Sequence, residues 1–160
     1  MTTVSRITRH ASRMTNMLET IIEKFAASEC SWLGTVRPSG KPHTAPIWHV
    51  WYGGRVYVVA QMTAVKTRNI QANPFVTITY PDPTDVIIIE GEARLVAGMT
   101  AVLQPHFQQK YHWDIASDGE YTAVIEITPT KLMAWNADAA QRQTWTGEEL
   151  SQTDKNRTPG

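Results

Sequence analysis

The stretch SWLGTVRPSGKPHTAPIWHVWYGGRVYVVAQ, residues 31–61, decides the fold. Its β-branched and aromatic runs at 32–37, 43–52 and 55–61 are separated by Pro38-Ser39-Gly40 and by Gly53-Gly54. Proline presets φ and glycine admits positive φ, so both breaks read as tight turns. The three runs then read as a meander of antiparallel hairpins.

Working outward, AQMTAVKTRNIQANP (60–74) reads as a strand end, a short helix that Thr63 can cap, and a stop at Asn73-Pro74. PFVTITY and TDVIIIEGEARLV follow as strands, with the breaker-rich PDPTD between them. GMTAVLQPHFQQKYHW reads as a helix that Pro105 should kink or start late. EYTAVIEITPTKLMAW closes as one long strand, or two short ones broken at Pro129. Upstream, residues 15–28 carry Met17, Leu18, Ile21, Ile22 and Phe25 at spacings of three and four, the mark of an amphipathic helix.

No internal repeat stands out, and strands do not alternate regularly with helices as a parallel α/β sheet requires. The expected class is mainly β with peripheral α: about six antiparallel strands in a small barrel, its ends covered by a few helices. The continuous apolar run at 86–89 implies burial on both strand faces, which calls for a second subunit.

A chain of 160 residues suits one domain, expected over 15–145 between flexible tails at 1–14 and 146–160. Formal net charge is zero and charged residues are 19%, which argues against nucleic acid and membrane surfaces as partners, since both select a basic face. The single cysteine, Cys30, excludes an internal disulfide and fits a reducing, cytoplasmic setting. No apolar run approaches the roughly 18 residues of a membrane span.

The helix at 60–74 carries a conflict of charge. Lys66 and Arg68 lie in its first turns, where the helix dipole disfavours cations. Projected at about 100° per residue, Ala72, Val65, Asn69, Met62, Lys66 and Ile70 share one arc, with Thr67 and Gln71 opposite. Lys66 therefore faces inward, and no carboxylate lies between it and Asp82 to pair with it. A bound anion resolves the conflict: helix-start N–H groups, the Thr63 hydroxyl, Lys66 and Arg68 together make a phosphate cradle.

Five histidines invite a metal reading, but none has an acidic companion at ligand spacing, and no metal site is expected. Trp48 and Trp51 point to opposite sides of their strand, one toward the barrel core and the other toward a ligand or a subunit partner. No nucleophile arrangement is evident, and the catalytic residues are unknown from sequence.

The order GTVRPSGKPHTAPIWHVWYGGRVYVVAQMTAVKTRNIQANPFVTITY, then VIIIEGEARLV, resembles the pyridoxamine-phosphate-oxidase-like, flavin-binding split-barrel family. Lys110-Tyr111 and TPTKLMAW, ending at Trp135, also match its shorter relatives. The resemblance implies a six-stranded split barrel and a homodimer with FMN sites at the interface. Lys66, with Thr63 and Arg68, would hold the cofactor phosphate. Pro46, Ile47, Trp48 and His49 would lie along the flavin ring, His49 as hydrogen-bond donor or proton source. Val59, Ala60 and Gln61 would border the ring or ribityl chain, and Trp135 would cover the partner's flavin.

Val65, Thr44 and Val86 stand where the true pyridoxamine phosphate oxidases carry Arg, Arg and Gln. The C-terminal segment also lacks their basic, substrate-holding end. The chain therefore resembles the shorter FMN- and deazaflavin-dependent relatives more closely. The expected function is that of an FMN flavoprotein oxidoreductase moving hydride to or from a small substrate. The alternatives are a deazaflavin (F-420)-dependent reductase on the same fold and a non-catalytic flavin carrier or redox sensor.

Overall fold

The two tight turns form as the glycines require. Gly40, Gly53 and Gly54 have φ of 85°, 58° and 71°, the left-handed region that side chains disfavour, and two successive such residues make a type I′ hairpin turn. The computed structural model describes residues 3–136 and 141–153. Helix α1 (Thr3–Ala27) leads into strands β1 (Ser31–Val36), β2 (Pro42–Ile47), β3 (Val50–Tyr52) and β4 (Arg55–Ala60). Helix α2 (Val65–Ala72) precedes β5 (Phe75–Thr79) and β6 (Val86–Val96). Helix α3 (Thr100–Tyr111) precedes β7 (Ala123–Trp135), β8 (Gln143–Thr146) and α4 (Gly147–Gln152).

Among the described residues there are eight strands rather than six, all paired antiparallel in the order β2-β1-β5-β6-β7-β4-β3, with β8 also on β7. The expected antiparallel barrel is present, and two details raise the count. The run at 43–52 is two strands, because the chain breaks at Trp48-His49 and the halves pair with different partners, β2 with β1 and β3 with β4. Residues 143–146 then add a strand against 131–134. β2 and β3 end opposite sides of the hydrogen-bonded path, yet only two residues join them. The sheet must curl to bring its ends together, and the barrel closes through this corner without a ladder across it. That is the split in the barrel.

β7 is one strand rather than two. Pro129, which cannot donate to a ladder, sits where the pairing with β6 slips, and Thr130 is the extra residue. In the apolar run at 86–89, Ile87 and Ile89 point into the core of the chain, while Val86 and Ile88 lie partly exposed on the other face, where a second subunit was expected.

One core fills the barrel. Phe25, Leu33, Val56, Ile78, Ile89, Ile125, Ile127 and Leu132 are fully buried there, with α1 across one end through Leu18, Ile22 and Phe25. A second cluster lies between α3 and the outer side of β4 and β7, around Tyr57, Val59, Leu103 and Phe107. Helix α3 runs through Pro105 from Thr100 instead of starting late.

Two segments expected as tails carry helix. α1 extends back to Thr3; Val4, Ile7, Ala11 and Met14 keep the three-four spacing, although Val4 and Ile7 are exposed and burial begins at Leu18. At the other end, the Glu149 carboxylate accepts the Thr146 N–H at 3.2 Å and Leu150 buries against the barrel, which fixes α4. The rest of the expected C-terminal tail, 154–160, lies outside the described residues.

Candidate cofactor cleft

The corner between β2 and β3 is held from both sides. The His49 ring is fully buried and stacks on Phe25 of α1, with centroids 4.4 Å apart and planes 19° from parallel. Its Nε2 meets the Phe25 carbonyl at 3.1 Å. Burial, and then the nearby Lys110 charge, pull its pKa down to about 4 against the Phe25 hydrogen bond, so the imidazole is neutral at ordinary pH. On the backbone side, the Tyr111 hydroxyl accepts the His49 N–H at 2.9 Å, and Lys110 Nζ donates to the His49 carbonyl at 2.6 Å.

With its side chain turned into the core, His49 leaves Pro46, Ile47 and Trp48 as one wall of a cleft of about 540 Å³. Val58 and Val59 of β4 and Lys66 of α2 form more of it. Tyr111, His112, Trp113, Asp118 and Tyr121, from the end of α3 and the loop into β7, complete it. Much of this lining is aromatic and stands open. Trp48 is 47% exposed, stacks on Tyr111 at 4.6 Å with planes 2° apart, and meets Trp113 edge-on at 5.9 Å. Asp118 is held ionised by the N–H groups of Tyr121 and Glu120 and by the Trp113 indole, which donates to it at 2.9 Å.

Lys66 is half-buried, and that burial lowers its pKa. It makes no ion pair with any carboxylate among the described residues. No side chain caps the start of α2, where the N-cap is Ala64 rather than Thr63, so the first-turn N–H groups keep no side-chain acceptor. The buried side of α2 also differs from the helical projection. Thr67, placed opposite the arc by periodicity, is fully buried with its hydroxyl on the Gln61 carbonyl at 2.7 Å. Asn69 is buried because its amide donates to Thr35 Oγ1 at 3.0 Å. Lys66 is thus half-buried at the cleft, not aimed at the core.

The structure brings together Pro46, Ile47, Trp48, Val59 and Lys66. It does not bring the others to the lining. Thr63 and Arg68 are exposed outside it, Ala60 is buried in the barrel core, and Gln61 braces the turn and reaches Glu120 at 3.4 Å. The His49 ring, expected along the flavin, is fully buried and lies outside the lining. Trp135 does not line its own chain's cleft and instead lies under the Arg142 guanidinium at 5.1 Å. Trp51 packs on the core, T-shaped to Phe25, so the two tryptophans do take opposite roles. Sequence reading missed Tyr111, Trp113, Asp118 and Tyr121 as lining; the aromatic density of KYHW was the available signal. Among the described residues, no three His, Cys, Asp or Glu side chains cluster at metal-binding range.

A family model described as pyridoxamine 5'-phosphate oxidase matches residues 17–136, three-quarters of the chain and all of β1 to β7. The chain belongs to this family. No curated protein matches it in sequence. Among solved structures, it is similar to a protein related to general stress protein 26, of the pyridoxinephosphate oxidase family, from Clostridium acetobutylicum (TM-score 0.66, 12% identity, 85% of this chain and 98% of that one). An F-420 reductase gives a TM-score of 0.57 at 24% identity over 69% of this chain and 94% of that one. A heme binding protein from Mycobacterium smegmatis gives 0.65 at 16% identity over 79% of this chain, which spans 56% of that protein. Identities this low establish the shared split-barrel fold alone. No helix of the described residues is long and apolar enough to cross a membrane.

Proposed function

We propose that this family member is a homodimeric FMN-binding oxidoreductase. The observation that carries the reading is Lys66: a partly desolvated ammonium with no ion pair among the described residues, beside an uncapped helix start, in a cleft whose other lining is apolar and aromatic apart from His112 and Asp118. A flat ring with a phosphate tail suits that pattern, with the ring against Pro46, Ile47 and Trp48 and the phosphate on Lys66. The cleft volume is in the usual range for small-ligand sites. When bound, FMN supplies hydride transfer through its N5. The chain supplies orientation, exclusion of water and the cation for the phosphate. Among the described residues Lys66 is the one Lys or Arg in the lining; Lys41, Arg55 and Arg68, which a deazaflavin's acidic tail would need, stand outside it.

The purified protein should be yellow, or bind added FMN with quenching of flavin fluorescence. Lys66→Ala should weaken binding about tenfold or more while the far-UV spectrum stays unchanged. Unchanged affinity would sink the phosphate assignment. His112, the one imidazole lining the cleft, gives haem as a second reading, because iron needs an axial ligand. A Soret band in place of flavin bands would select it.

A further inference from the structure

We infer that Lys110 and Tyr111 are positioning residues of the cleft, latching the β2–β3 corner so that the Trp48 wall keeps one shape. The inference deepens the flavin reading and rests on it for its binding arm only. Two contacts hold the two peptide units that flank His49: the Lys110 ammonium donates to its carbonyl at 2.6 Å, and its N–H donates to the Tyr111 oxygen at 2.9 Å. The Tyr111 hydroxyl's one proton has the Glu29 carbonyl at 2.8 Å and the His49 carbonyl at 3.0 Å as alternative acceptors; donated to Glu29 while the oxygen accepts from His49, it ties α3 to the corner and to the link between α1 and β1. The same ring then stacks on Trp48 in the cleft.

This corner has most need of such a latch. β2 and β3 share no ladder, so the peptide units at Trp48-His49 lack the strand hydrogen bonds that hold the rest of the barrel. Lys110 and Tyr111 supply them from another element. A buried carbonyl that accepts from an ammonium is a charge-assisted bond, stronger than the backbone bond it replaces.

The latch is sensitive to alkali. Burial lowers the Lys110 pKa to about 8, while burial raises the Tyr111 hydroxyl to about 12, so the lysine's bond is the first to lose its charge assistance and weaken. The neighbouring titratable groups are His49 at the corner, Glu29 and Cys30 beside the Tyr111 hydroxyl, and Lys66 and Asp118 in the cleft. A lysine whose folded pKa lies below its unfolded value of 10.5 carries a burial cost that is full below pH 8 and vanishes by 10.5. Deprotonation therefore does not lower fold stability through this group, although it loosens the corner. Positioning and stability should move in opposite directions.

The test is hydrogen exchange of the segment 46–50 in the full-length protein, with FMN titration and thermal unfolding alongside, from about pH 6.5 to 9.5. Wild-type protection of this segment should fall as pH rises through about 8. Lys110→Met should show roughly tenfold lower protection at pH 7 and no further pH step, and Lys110→Arg should restore protection. Tyr111→Phe, which keeps the stacked ring, should also lower protection. FMN affinity should follow the same order while melting temperature does not. Protection in Lys110→Met equal to wild type at every pH would overturn the latch. A wild type that binds no FMN, with the exchange pattern as described, would overturn the flavin reading and leave the latch standing.

Discussion

At the scale of single residues, burial changes chemistry that the sequence only names. His49 carries an ordinary imidazole, yet its place behind Phe25 depresses its pKa from 6.5 to about 4. The unfolded chain takes up that proton between these two values and the folded one does not, so acid favours unfolding across that window and adds nothing below it. We expect this group to remove roughly 3 kcal/mol of stability between pH 6.5 and 4. Denaturant unfolding at pH 7 and pH 4.5 checks it: wild type should lose more than His49→Gln over that interval, and an equal loss would contradict the assignment. That Lys66 lacks a local partner was legible from the absence of a carboxylate between it and Asp82. The buried face of its helix was not, because Thr67 and Asn69 are buried by hydrogen bonds to Gln61 and Thr35, partners that a hydropathy pattern does not register.

At the scale of elements, the β6–β7 ribbon is the spine of the barrel, and its bulge sets its curvature. Gly91 faces the slip in register, where an added Cβ would stand 2.8 Å from the Thr128 carbonyl oxygen and 2.9 Å from Ile127 Cγ2. Both neighbours sit in a paired, buried strand and cannot retreat cheaply. Gly91→Ala should cost about 1–3 kcal/mol, read as a lower denaturation midpoint with an unchanged slope. Most elements could be read from sequence because turn chemistry and apolar period are local. The failures share one cause. A run such as 43–52 shows strand character throughout, but which neighbour each half pairs with depends on residues elsewhere in the chain. The short strand at 143–146 likewise exists only because β7 offers it an edge. α4 is not legible as structure in the sequence because its one buried anchor, Leu150, shows its value only against the barrel.

At the scale of the whole molecule, the outer face of β2, β1 and β5 runs from the cleft wall at Pro46 across Trp32, which is 45% exposed, to Thr79, and further along β5 Phe75 is 61% exposed. Under the proposed homodimer this face is the expected seat of the second copy, with the subunit boundary beside the cleft. Trp32→Lys should shift the protein toward monomer in light scattering and weaken FMN binding with it. A wild-type monomer that binds FMN fully would contradict the dimer. The place of the APIW segment beside a ligand was implied only by the family resemblance; by itself, the sequence determined the antiparallel class, the turns and the helix that carries Lys66. These follow from φ preferences and apolar spacing within a few residues. Only the tertiary structure decided that the barrel closes at Trp48-His49, that His49 anchors this corner from within, and that Tyr111, Trp113, Asp118 and Tyr121 complete the cleft. Those residues are far apart along the chain, and what brings them together is the curl of a sheet whose two ends are joined by a single corner.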